Sequence, residues 1–507
     1  MIHPPVVKPG EPPAGVARLA GVLRADGVGC AVIDANLEGL YFRLGHLRVG
    51  DDTWSRRAQR HLDDHLTVLR SADIGRQADR YRRAVADLGH LLDSEGRVSD
   101  VRAGLADYRD ARWSPLRSRD LRRAARNPER NPYFAYYEAQ LLPRVADLQP
   151  AVVGISINFL SQALCAFALI GLLRRRLGAA RIVIGGGLVT SWLRGGRVPS
   201  GVDEWVEQMV EGPGEAHLLQ SMGHGDRMLR ECGRRLPDYN DLAAQPYLSP
   251  GFILPFSAGD GCWWRRCAFC PERAEQRPFR PLPHSLAVGQ LRHLTAVTRP
   301  VLIHLLDNAL SPALLKALAA HPPGAPWYGF ARIGHPLDDP EACRRLAAAG
   351  CVMLKLGLES GDQGVLDRLQ KGVALPTAVR VLDNLRRAGI ATYVYLLFGT
   401  PAEDEAAALR TLDFVAAHAT AISFLNLAIF NLPLASPDAA DLTVSDFYPG
   451  DLAFYGDFVH PRGWDRAKVR RFLDRRFKRH PAVQPILRRD PPIFTSNHAP
   501  FFAAASG

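Results

Sequence analysis

From residue 252 onward the sequence alternates short apolar runs with helical stretches. The runs are 252–258, VLIHLLDN (301–308), PWYGFARI (326–333), CVMLKLGLESG (351–361), IATYVYLLFGTP (390–401) and AISFLNLAIF (421–430). Helical periodicity lies between them at 311–320, 340–348, 362–369, 374–388 and 402–418. Strands separated by whole helices pair in parallel, and six such units predict a parallel barrel or part of one. In that architecture functional groups sit at the C-terminal ends of the strands. The polar residues fall there: Asp307, Asn308, Arg332, Glu359, Ser360, Gly399 and Glu403.

The first half of the chain alternates too. A helix at 14–25 precedes VGCAVIDANL (28–37). AVVGISINF (151–159), ARIVIGGG (180–187) and EWVEQMVEGPGEAHLLQ (204–220) follow, with helical SQALCAFALIGLLRRRLG (161–178) between the first two of these. This predicts an α/β, doubly wound parallel sheet of Rossmann or flavodoxin-like type. Ligands of such sheets bind beyond the carboxyl ends of the strands. Ser156, Asn158, Gly185, Gly186, Gly187, Glu211, Gly212, Gly214 and Glu215 fall there. An Arg- and Asp-rich stretch at about 52–147 reads as a helical insertion that either caps a site or simply packs. The expected organisation is an α/β domain over 1–240, a barrel over 241–435 and a small C-terminal extension over 436–507.

Just after the barrel's first strand comes GDGCWWRRCAFCPER (259–273), with Cys262, Cys267 and Cys270. The chain has eight cysteines in 507 residues, too sparse for a disulfide scaffold. A structural zinc ion wants four ligands, often from two distant pairs. Here one C-x2-C pair has a single cysteine five residues upstream, and the next candidate, His284, comes fourteen residues later without a second half-site. An iron–sulfur cube can be held by three thiolates, leaving one iron open to a small chelator. Trp263 and Trp264 either shield such a cluster or pack the loop. Arg265 and Arg266 either meet anionic groups or sit in water.

Lys plus Arg exceeds Asp plus Glu, 63 against 52. The excess is spread out, and its densest stretches, RRRLG (174–178) and RRFLDRRFKRH (470–480), read as solvated helix faces, so nucleic acid is not expected. The N-terminus lacks a signal pattern and no apolar run reaches membrane-spanning length, so a cytoplasmic protein without a membrane partner is expected.

The cysteine loop, with Phe269 before its last cysteine, resembles the cluster motif of radical S-adenosylmethionine (SAM) enzymes. The spacing is C-x4-C-x2-C, one residue longer than the family's commonest form. GFARIGHP, AAAGCVMLKLGLESGDQGVLDRLQKG and YVYLLFGTPAEDE resemble the same family's partial barrel. VGISINF, VIGGG and VEGPGE resemble the cobalamin-binding domain of its B12-dependent members, without the D-x-H-x-x-G loop that supplies cobalt with a histidine in other B12 proteins.

The resemblance implies a [4Fe-4S] cluster on Cys262, Cys267 and Cys270. It puts SAM near Phe269, Asp307, Asn308, Arg332, Glu359, Ser360 and Gly399, with Asp307 by the amino group and Arg332 by the carboxylate. Cobalamin would lie at Ser156, Asn158, Gly185 to Gly187, Glu211, Gly212 and Glu215. It further implies a 5′-deoxyadenosyl radical, methyl transfer to an unactivated carbon of a peptide or small natural product, and a flavodoxin- or ferredoxin-type reductant. A non-methylating rearrangement, cyclisation or epimerisation is the first alternative. A zinc-stabilised nucleic-acid-binding protein is the alternative from another class. Tyr448, Tyr455, Trp464 and Phe501 either line a substrate opening or belong to a strap packed on the barrel, and His498 is a candidate of the same kind.

Overall fold

The computed structural model describes residues 1–47, 50, 52–73, 77–96, 100–178, 180–221, 223, 232–491 and 501–502. The chain divides into two compact units, Met1–Ile253 with Pro449–Ala453, and Leu254–Tyr448 with Phe454–Pro491. His498 lies outside the described residues. Among them, no helix is long and apolar enough to cross a membrane.

The first unit is built on a five-stranded parallel sheet. Its strands are β1 (Ile2–His3), β2 (Ile33–Asp34), β3 (Val152–Ser156), β4 (Arg181–Gly185) and β5 (Gln208–Met209), in the order β2-β1-β3-β4-β5. The apolar run at 28–37 contributes only Ile33–Asp34, because Asp34 caps the next helix, Ala35–Gly45, by accepting from the Leu37 N–H. One inner strand, β1, between β2 and β3, is one that the pattern did not announce. Ile2–His3 is two residues long and runs into Pro4 and Pro5, too short to show periodicity.

Helix Leu160–Arg176 follows β3 and is buried over most of its length. It lies so close to helix Ser118–Arg126 that a Cβ on Gly171 would stand 1.9 Å from the Ala125 carbonyl oxygen. The stretch 52–147 is mainly helical, as expected, but also holds a hairpin, Val101–Ala103 with Tyr108–Asp110.

The second unit is an open barrel of six strands: β6 (Ile253–Phe256), β7 (Leu302–Leu310), β8 (Trp327–Ala331), β9 (Cys351–Glu359), β10 (Ala391–Phe398) and β11 (Phe424–Ile429). They lie in sequence order, and β7 to β11 pair in parallel. The helix expected at 402–418 starts later, at Glu405, because Asp404 caps it through the Ala407 N–H.

Beyond the barrel, Leu432–Pro433, Val444–Asp446 and Tyr455–Phe458 form a three-stranded antiparallel sheet, and helix Arg466–Arg475 follows. Trp464 and Phe472 are buried, with Phe472 packed against Phe398 and Phe477. Trp464 and helix Arg466–Arg475 thus pack as a strap, while Tyr448 is exposed and Tyr455 half-buried.

The tight helix crossing gives a test. Gly171→Ala forces its methyl into a backbone carbonyl and should destabilise the chain by about 1–3 kcal/mol or more. Gly178→Ala, whose nearest neighbour lies 3.9 Å away, should change stability by less than about 0.5 kcal/mol. Paired urea melts check both.

Candidate functional site

The cysteine loop begins where β6 ends. Gly259–Asp260 pairs antiparallel with Arg280–Pro281, closing the loop like a clip. Gly261 turns the chain into it at φ +76°, and a side chain there would strike the Pro278 carbonyl oxygen at 2.4 Å. The Cys270 N–H donates to the Cys267 carbonyl at 3.3 Å, and the Cys270 carbonyl accepts from Arg273 and Ala274 as helix Pro271–Ala274 starts. Cys267 is buried; Cys262 and Cys270 are half-buried.

The loop is held against the turn after helix Gln363–Arg368. The Ala268 N–H donates to the Leu369 carbonyl at 2.9 Å. Trp264 Nε1 donates to the Gln370 carbonyl at 3.1 Å, and Arg273 donates to Gln370 Oε1 at 3.0 Å. Trp264 lies over Gly372, where an added Cβ would meet its ring at 2.2 Å.

Arg332, at the end of β8, stacks on the Trp264 ring at 4.0 Å and sits 5.7 Å from Trp263. Its Nη1 lies 3.8 Å from Cys267 Sγ, and its Nη2 donates to the Lys371 carbonyl. Burial lowers its pKa, working against the cation.

Glu359 ends β9 in the left-handed region, φ +68°, at a register shift against β10. A non-glycine residue held there costs on the order of 1 kcal/mol or more. Lys371 holds it, with Nζ 2.7 Å from Glu359 Oε1, both groups buried. Lys371 also stands 5.6 Å above the Phe269 ring, which ties this ion pair to the cysteine loop.

Asp307 is buried in β7 and accepts from the Ala258 N–H at 3.0 Å, fixing the chain just before the loop. Burial raises its pKa to about 6. Asn308, next to it, is exposed. Ser360 is fully buried, its hydroxyl 3.1 Å from Thr411 Oγ1 and accepting from the Asp362 N–H at 3.1 Å, so the hydroxyl is already committed inside the protein.

Gly399 ends β10 with its N–H on Glu403. Glu403 is fully buried and also accepts from Trp464 Nε1 at 2.9 Å, while its Oε1 has no partner. Burial raises its pKa to about 7. A small cleft beside Gly399 is lined by Ile429, Phe430, Phe458, His460 and Arg466.

In the first unit the predicted residues gather at the carboxyl edge of the sheet. Asn158 Nδ2 donates to Ser156 Oγ at 3.1 Å, and Asn158 Oδ1 accepts from the Gly187 N–H at 2.9 Å. Gly186 has φ +102°, and a Cβ there would lie 2.6 Å from the Ile157 carbonyl oxygen. The Gly212 N–H donates to Thr190 Oγ1 at 2.9 Å, and Gly185 lies beside Val210. The two acids are already engaged: Glu211 pairs with Arg194 at 3.0 Å, and buried Glu215 pairs with Arg18. His3, at the end of β1, is buried with Nδ1 unpartnered, and burial lowers its pKa to about 4.

Sequence reading missed His3, Lys371 and Gln370. The short β1 left no signal for His3. For the other two the signal was present in the LQKG that follows LGLESG, but their relation to the cysteines is a tertiary one.

Residues 256–415 match the Radical SAM superfamily model, so this part of the chain is a radical SAM domain. Among solved structures, the chain is similar to the cobalamin-dependent SAM radical enzyme OxsB with aqua-cobalamin bound: 16% identity, TM-score 0.53, covering 66% of this chain and 60% of that one. OxsB with both aqua-cobalamin and SAM gives the same TM-score at 15% identity and the same coverage. The methyltransferase TsrM from Kitasatospora setae reaches 18% identity and a TM-score of 0.46 over 60% of this chain and 69% of that one. No curated protein matches. The likeness to OxsB shows a shared α/β-plus-barrel fold, and the chain spans 60% of the OxsB length.

Two outcomes follow from the buried groups. Lys371→Met leaves Glu359 charged without its partner and should cost about 3–5 kcal/mol; adding Glu359→Gln should recover most of it in thermal melts. Glu403 has a folded pKa near 7, above the ordinary 4.5, so its contribution is complete below about 4.5 and lost as pH rises through about 7. Glu403→Gln should therefore remove about 2–3 kcal/mol of the stability decline over that window, seen as a flatter dependence of melting temperature on pH.

Proposed function

We propose that the chain is a cobalamin-dependent radical SAM methyltransferase acting on an unactivated carbon of a peptide or small natural product. The observation that carries the reading is the cysteine loop: three thiols, no fourth cysteine beside them, clamped on a radical SAM barrel.

The residues fit a cluster. Among the described residues, no three His, Cys, Asp or Glu side chains converge as ligands of one ion. A cube asks for a different arrangement, since each thiolate binds its own iron and the sulfurs stay apart. Burial pushes the Cys270 thiol up to about 11, so it stays protonated until a metal displaces the proton. Trp263 Nε1 is a buried donor with no partner beside the loop. Cys262, Cys267 and Cys270 would hold a [4Fe-4S] cluster.

With a cluster and SAM bound, reductive cleavage would supply a 5′-deoxyadenosyl radical, and methylcobalamin would supply the methyl group. The chain's own residues position these groups. Asp307 fixes the strand that feeds the loop. Arg332 presents a cation beside Cys267, facing where SAM's carboxylate would lie. Glu359 and Lys371 hold the loop's floor, and Glu403 holds the Gly399 turn through its N–H. Asn308 remains open to a ligand, while Ser360 supports the strand end from inside. Ser156, Asn158 and the Gly185–Gly187 turn, with His3 on the strand next to Ser156, offer the polar edge for cobalamin; Gly212 carries the next turn. Glu211 and Glu215 serve this edge through their arginine partners. Use of cobalamin is supported by the fold shared with OxsB, a cobalamin-dependent SAM radical enzyme, and by the three sequence patterns of the first unit. The reductant belongs to the flavodoxin or ferredoxin class.

The test is anaerobic. Reconstituted protein should hold about four irons per chain with matching sulfide. With SAM and a strong reductant it should release 5′-deoxyadenosine, and with hydroxocobalamin and methyl-labelled SAM it should label a product. Cys270→Ala should lose both the iron and the 5′-deoxyadenosine. Zinc in place of iron overturns the reading. Turnover of SAM to 5′-deoxyadenosine without methylated product replaces methyl transfer by a rearrangement.

A further inference from the structure

The outer side of the cysteine loop is unusual. Between Cys262 and Cys267 the chain exposes two consecutive arginines, Arg265 and Arg266, and Arg265 is held out at φ +52°, a conformation unfavourable for a side chain of its size. Arg368 is exposed at the turn on which the loop rests. Arg368 donates to the Ala402 carbonyl, and Arg273 donates to the Arg266 carbonyl and to Gln370, with Asp438 acting on Arg273 through space. Arg265 and Arg266 thus present positive charge to solvent on the same loop that carries the thiols.

A packed path leads inward from it. Arg266 stacks on Trp264 at 5.1 Å, Trp264 stacks on Arg332 at 4.0 Å, and Arg332 Nη1 lies 3.8 Å from Cys267 Sγ. The indole is half-buried and contacts both the exposed Arg266 and the half-buried Arg332.

Resting on the radical SAM reading above, we propose that Arg265, Arg266 and Arg368 form the docking surface for an acidic one-electron carrier protein. A cationic patch steers an acidic partner and sets its register. The step is a single-electron transfer: the carrier is oxidised by one electron and the cluster reduced by one, with no covalent bond formed between the proteins. The loop that holds the thiols then also carries two of the three arginines the donor recognises.

Full-length Arg265→Glu/Arg266→Glu protein is compared with wild type. Binding of an acidic flavodoxin and of an acidic plant-type ferredoxin is measured at low and high salt, with reduction by methyl viologen radical followed in parallel. The variant should bind the carrier roughly tenfold or more weakly at low salt, and the salt dependence should shrink. Iron content, melting temperature and viologen reduction should stay at wild-type values. Loss of binding confined to one carrier names the flavin or the iron–sulfur class as the partner. Arg470→Glu/Arg471→Glu, on the exposed face of helix Arg466–Arg475, controls for net charge. Unchanged affinity and salt slope in the loop variant, or an equal loss in the helix control, overturns the docking surface. Absence of iron in wild type overturns the radical SAM reading instead, and the binding comparison still decides the surface.

Discussion

The second unit depends on how one short loop is held against one turn. The Ala268 N–H on the Leu369 carbonyl, the Trp264 indole on the Gln370 carbonyl and the ring of Trp264 over Gly372 lock the cysteine loop to the segment after β9. Without that lock, three thiols on an exposed loop would have no fixed geometry. A metal centre that leaves one position open needs its other ligands placed in advance, because the open position contributes nothing to their arrangement. Trp264 is central to this, since it contributes apolar area, one hydrogen bond and a face for the Arg332 cation.

The same segment carries the buried ion pair of Glu359 and Lys371. A buried pair contributes little net stability, but losing one partner is expensive. Such a pair therefore acts chiefly to fix positions. Here it holds a strand end in a left-handed conformation next to the place where the proposed SAM ligand would contact the barrel. Asp307 and Glu403 act similarly at β7 and β10, each spending a buried carboxyl on one backbone N–H. Both are neutralised in part by burial, which moves their pKa values toward or into the physiological range.

Much of the barrel was legible in the sequence. Each of the six apolar runs contains a strand, because parallel strands buried on both faces are near-continuous in hydrophobicity. The first unit was less legible at its edge. β1 is two residues long, so its pairing between β2 and β3 comes from tertiary contacts and not from pattern. The candidate site shows the same division. The thiols, Asp307, Arg332, Glu359 and Gly399 were readable from motif and strand-end position. The burial of Ser360 and the exposure of Asn308, adjacent in kind to residues that face the site, were not, since a one-residue change of direction at a strand end reverses which side chain is covered.

By itself the sequence determined two things: that strands alternate with helices in parallel units, and that three cysteines without a fourth stand at the mouth of the first barrel strand. Both are local facts, set by residue type and spacing. The tertiary structure alone decided that Lys371 meets Glu359, that Trp264 contacts both Arg266 and Arg332, and that His3 ends an inner strand of the sheet. Those contacts join residues far apart along the chain, and no periodicity encodes a distance in space between them.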